Sequence, residues 1–223
     1  MPLTSIRRDN MDAEKLYLTL THVDLETWCE FLFNRDLLAK KVDAPMRKQL
    51  IKDAIDSGEE LAVQVRKEHP GMDTIELADE LCEVEYGKSQ NISQQLFLAT
   101  FRGPNKIKIY NEPIQKLAAL NIAGFPEQTI RQIVMGHELF HYFEDKDPNI
   151  ASRMVKIPLW HFLGYEHKST VRAVSEIAAM VFSWRVQKLP YSPLVLDIML
   201  LNIYNQDAVT PALEELKQAG MAE

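Results

Sequence analysis

LFLATFRGPNKIKIY, residues 96–110, decides the fold class of this chain. On either side of it, apolar residues recur at helical spacing; here the period drops to two. In KIKIY (106–110), Ile107 and Ile109 point one way, and Lys106, Lys108 and Tyr110 the other. LFLATF (96–101) is the matching run, separated from it by Arg102-Gly103-Pro104-Asn105, so the pair reads as a hairpin with a four-residue turn. CEVEYG (82–87) offers one further strand.

Upstream, DLETWCEFLFNRDLLAKK (24–41) reads as a helix capped by Asp24. A second helix runs over 44–69, with Pro45 in its first turn and Pro70-Gly71 past its end. A third follows from Asp73 to Leu81, with Asp73 and Glu76 spaced as a capping box. Downstream come helices over 113–124 and 126–145, a less regular segment over 146–168, a helix over 170–188, and two more over 192–219. Helices, a small antiparallel sheet, then helices make a mostly helical α+β chain. Residues 1–55 read as an N-terminal helical extension, and 56–223 as the main domain with a helical tail, the two forming one compact unit.

The 223 residues are 46% apolar and 26% charged, enough to bury a core. Net charge is −7, from 25 basic and 32 acidic residues, which argues against direct nucleic-acid binding. Two cysteines, Cys29 and Cys82, make no disulfide framework. No 18-residue apolar run and no secretion signal is visible, so the expectation is a cytoplasmic protein without a membrane span.

The helix over 126–145 carries GHELFHYFED (136–145). His137 and His141 are four apart and lie on one helix face, continuing the apolar stripe of Ile130, Ile133 and Val134. Two neutral imidazoles one turn apart suit two positions of a tetrahedral Zn²⁺. Glu138 is rotated off that line, where a carboxylate can act as a base without ligating. The bland alternative is a pair of structural histidines. A catalytic zinc needs a third protein ligand. In TVRAVSEIAAMVFSWRVQKL (170–189), Glu176 lies on a mostly small face with Ala173, Ala179, Met180 and Ser183. It is a candidate third ligand, or else an exposed partner of Arg172 four residues earlier. The acidic residues after the motif, Glu144, Asp145 and Asp147, read first as a solvated run; the alternative is that one of them supports a ligand imidazole from behind.

HELFH, followed 35 residues after His141 by Glu176-x-x-Ala179-x-x-Phe182, resembles the ImmA/IrrE-type metallopeptidases. The similarity extends upstream through ELAVQVRKEHPGMDTIELADELCEVEY (60–86) and the hairpin, covering roughly 60–190. It implies that His137, His141 and Glu176 ligate Zn²⁺ and that Glu138 is the catalytic base. It also implies a gluzincin-like peptidase making limited cuts in a regulatory protein, such as a DNA-binding repressor. The alternative is a non-catalytic zinc-containing module of the same fold. Three positions depart from the pattern: Phe140 where Gly is common, Gly136 where Ala is common, and Ser183 where Ala is usual. Phe140 is expected to narrow the cleft. His161, Tyr165 and His167 lie between the two ligand helices and are candidates for oxyanion stabilisation or proton donation.

Overall fold

The computed structural model describes residues 12–88, 91–92, 95–148, 150, 156–162 and 165–221. Helix α1 (Ala13–Thr21) starts on the Asp12 side chain and was not expected from the sequence. Helix α2 (Leu25–Asn34) starts at Asp24 as expected, but it stops well short of residue 41. The reason is local. The Asp36 carboxylate accepts a hydrogen bond from the Leu38 backbone N–H at 2.7 Å, a turn that competes with the helix. A single 3₁₀ turn, Ala39–Lys41, follows.

Helix α3 (Ala44–Glu68) is capped by Asp43 with Pro in its first turn. Helix α4 (Thr74–Leu81) has the full capping box of Asp73 and Glu76. Asp73 also accepts a hydrogen bond from Gln132 at 2.9 Å, and Thr74 donates to the Gln132 carbonyl at 2.7 Å. These bonds fix α4 against the long helix α6 (Glu127–Lys146), which Pro126 precedes.

Strands β1 (Glu83–Gly87), β4 (Ala99–Arg102) and β5 (Lys106–Tyr110) form one sheet in the order β1-β5-β4. The 99–110 hairpin is antiparallel, pairing Ala99 with Ile109 and Phe101 with Ile107. Strand β1 pairs with β5 in parallel, so the sheet is mixed and not antiparallel as expected. The chain leaves β1 and returns through β4, which places β1 and β5 side by side in the same direction; nothing in CEVEYG alone encodes that. Short strands β2 (Asn91–Ile92) and β3 (Gln95–Leu96) pair with each other. Helix α5 (Asn111–Ala118) follows, and the chain then turns through Asn121 and Gly124, both at positive φ. The segment expected to be irregular holds a second hairpin, β6 (Lys156–Phe162) with β7 (Tyr165–Thr170).

Helix α7 (Arg172–Gln187) lies in the core, with Val174, Ile177, Ala178, Val181 and Phe182 inaccessible to solvent. It ends on Lys188 in the left-handed conformation, two residues before Pro190. Helix α3 crosses it at Gly58, where an added Cβ would meet the Ala178 carbonyl at 2.6 Å and Val181 Cβ at 2.9 Å. Helix α6 packs on another face. Helices α8 (Val195–Tyr204) and α9 (Val209–Ala219) complete the tail. One buried cluster runs from Leu16 to Ala219 and includes the N-terminal helices. Among the described residues no helix is long and apolar enough to cross a membrane.

Candidate metal centre

Helix α6 buries Ile130, Ile133 and Val134, and that stripe continues into His137 and His141. Helix α7 turns Glu176 toward them. The two imidazole Nε2 atoms are 3.2 Å apart, and Glu176 Oε2 is 3.3 Å from His137 Nε2. The three donors all lie within 4.8 Å of one another. Donor–metal distances of about 2.0–2.1 Å in a tetrahedron require donor–donor edges of roughly 3.3–3.4 Å. Both distances at His137 Nε2 match that edge, and the donor set could hold a metal ion. Glu176 also reaches Arg172, at 3.8 Å, but Arg172 is largely exposed and that contact is the weaker one.

Charge is matched within the triad. Burial opposes a charged His137, but the hydrogen bond and charge of Glu176 outweigh it and lift the imidazole from 6.5 to about 9. Burial likewise opposes a charged Glu176, and His137 overcomes it, taking the carboxyl down to about 2. Without metal, a proton shared at His137 Nε2 does what a cation would do in its place.

The second nitrogen of His141 is also held. Its Nδ1 is 3.1 Å from Glu144 Oε2, and Ser175 donates to that same oxygen at 2.8 Å. Donation from Nδ1 leaves Nε2 of His141 as a bare donor toward the triad. Of the three acidic residues after the motif, it is thus Glu144 that supports a ligand imidazole. Its bond to Ser175 ties α6 to the turn just before Glu176.

Glu138 is only 8% exposed and lines the same cleft. Burial pushes its carboxyl up, against the lowering effect of His137, His141 and a hydrogen bond from the Phe101 backbone N–H. That bond follows from strand geometry. The Tyr110 N–H donates to the Leu98 carbonyl at 2.9 Å, so alternation along β4 turns the N–H and C=O of Ala99 and Phe101 away from β5. Among the described residues strand β4 is an edge of its sheet, and its outward groups border the cleft. The cleft has a volume of about 730 Å³, and Phe97, Ala99, Phe101, Val171 and Arg172 are among the residues that line it.

Phe140 does not narrow this cleft. Its ring is fully buried, 6.1 Å from Phe182 and 5.9 Å from His141, on the core side of α6. The other two departures belong together. An added Cβ on Gly136 would come within 2.8 Å of Ser183 Oγ, and that hydroxyl donates to the Ile133 carbonyl at 2.8 Å. The hydroxyl of one helix fills the space left by the missing methyl of the other.

Of the residues singled out in the sequence, His137, Glu138, His141 and Glu176 converge. His161, Tyr165 and His167 sit in the β6–β7 hairpin; their side chains lie outside the described residues. Ser175 and Phe101 were missed. Ser175 directly precedes Glu176, and that adjacency was the available signal; the Phe101 contact is a backbone one and leaves no mark on residue type. No protein-family model, curated protein or solved structure matches the chain.

Proposed function

We propose that this chain is a zinc-dependent peptidase of the ImmA/IrrE type, acting in the cytoplasm and making limited cuts in a regulatory protein such as a transcriptional repressor. The observation that carries this reading is the convergence of three donors and one buried carboxylate on an open cleft beside a strand edge. His137, His141 and Glu176 would hold the zinc. Bound there, zinc would supply Lewis acidity toward a water and a carbonyl oxygen. Glu138 stands next to that position and does not belong to the donor set. Its raised pKa suits a group that takes a proton from the attacking water and returns it to the leaving amine. The Phe101 N–H keeps its carboxylate in place. The other outward groups of β4, the N–H and C=O of Ala99 and the C=O of Phe101, can pair with an extended substrate, as in strand addition.

The test is cleavage of candidate repressors by zinc-loaded protein, wild type against Glu138→Gln. The wild type is expected to cut at a discrete bond, and Glu138→Gln to retain zinc and lose cleavage. A Glu138→Gln variant that still cuts refutes the assignment of the base. A wild type that binds zinc and a partner repressor without cutting it supports the non-catalytic module instead.

A further inference from the structure

Helix α7, which carries Glu176, has no cap of its own. Its N-cap residue is Val171, whose side chain offers no acceptor. The first-turn N–H of Ala173 is nonetheless satisfied. It donates to Asp36 Oδ2 at 2.7 Å, across 137 residues of sequence. Asp36 stands in the turn after α2, in the N-terminal segment that the family resemblance does not cover. Its other oxygen accepts the Leu38 N–H at 2.7 Å, so the carboxylate itself is held rigidly. Ala173 is buried at 4% exposure, so water could not readily replace this partner. The negative charge also lies at the positive end of the α7 dipole.

We propose that Asp36 is a positioning residue of the metal centre: by capping α7 from the N-terminal segment, it holds the turn that presents Glu176 to His137 and His141. The first turn of α7 also contributes Val171, Arg172 and Ser175 to the cleft. Loss of the cap therefore loosens one donor and one cleft wall together, while His137 and His141 on α6 keep their places. This inference rests on the metal reading above.

The experiment is zinc affinity by chelator competition on the full chain, with hydrogen exchange read over residues 172–177. Wild type is compared with Asp36→Ala, Asp36→Asn, and two controls, Asp24→Ala and Asp43→Ala. The controls remove caps of the same chemistry from the same segment, since Asp24 and Asp43 bond the Thr27 and Met46 N–H groups of their own helices. Asp36→Ala is expected to weaken zinc binding by about 3- to 30-fold and to speed exchange over 172–177. Asp36→Asn keeps one acceptor oxygen and should fall in between. The controls should lower thermal stability without changing zinc affinity. The proposal is overturned if Asp36→Ala binds zinc within twofold of wild type, or if the controls weaken binding equally. A wild type that binds no zinc removes the metal reading itself, which separates the two failures.

Discussion

The α6–α7 contact gives a quantitative test through Gly136→Ala. On an exposed helix this change would stabilise by about 1 kcal/mol. Here the new methyl would sit 2.8 Å from Ser183 Oγ, 3.1 Å from Gln187 Nε2 and 3.2 Å from Ser183 Cα. The hydroxyl can retreat only by giving up its bond to the Ile133 carbonyl, and the backbone atom can retreat only by moving α7. Overpacking of this kind costs about 1–3 kcal/mol, so the single variant should be destabilised by up to about 2 kcal/mol after the helix gain of about 1 kcal/mol. Ser183→Ala alone forfeits a hydrogen bond worth about 1 kcal/mol. In the double variant the methyl introduced by Gly136→Ala takes the volume vacated by the hydroxyl. The hydrogen-bond loss and the helix gain, each about 1 kcal/mol, then offset one another, so its net change should be near zero, short of the roughly 1–3 kcal/mol that additivity would give. Urea unfolding of the metal-free protein measures all four corners of the cycle. Glu176 lies two turns before Ser183 on the same face of α7, so Gly136→Ala should also weaken zinc binding, and Ser183→Ala in that background should restore it. Strict additivity, or a Gly136→Ala variant more stable than wild type, would refute the packing argument.

Three further outcomes follow from the same contacts. Phe140→Ala should cost about 3–5 kcal/mol of stability by opening a core cavity, while leaving zinc affinity within a few fold, because the ring faces Phe182 and not the cleft. Glu144→Ala should weaken zinc binding by about 10- to 100-fold, measured by chelator competition, with Glu144→Gln less affected since it keeps an acceptor for His141. The His137 pKa, raised from 6.5 to about 9, contributes stability to the metal-free protein that is complete below 6.5 and lost as pH rises through 9. The lowered Glu176 pKa contributes stability that is present above 4.5 and lost as pH falls through about 2. Denaturation midpoints of metal-free protein should accordingly fall between pH 6.5 and 9, while zinc affinity rises over that interval by about tenfold per unit as His137 gives up its proton.

Two helix starts were legible because their caps are local: Asp24 and Asp73 each bond within three residues of themselves. The facing of His137 and His141 was legible from the apolar stripe that leads into them. Glu176 was legible in part, since its neighbours at helical spacing, Met180 apart, are small. Its contact with His137 depends on how α6 and α7 cross, which no single helix encodes. The parallel pairing of β1 was hidden because strand direction depends on the connection and not on the strand. Phe140 was misread for a related reason. A residue between two ligands can face the cleft or the core, and the choice is set by Phe182 on another helix. Asp36 ended α2 early and capped α7 instead; a side chain that bonds across 137 residues leaves no periodic signal.

His137, His141 and Glu176 are proposed to hold one metal ion between them. Zinc per chain, measured by mass spectrometry after loading and dialysis, tests it most directly. One zinc should remain bound to wild type and to Glu138→Gln, and be lost from His141→Ala and Glu176→Ala. Zinc retained by Glu176→Ala with unchanged affinity, or absent from the wild type, would contradict it.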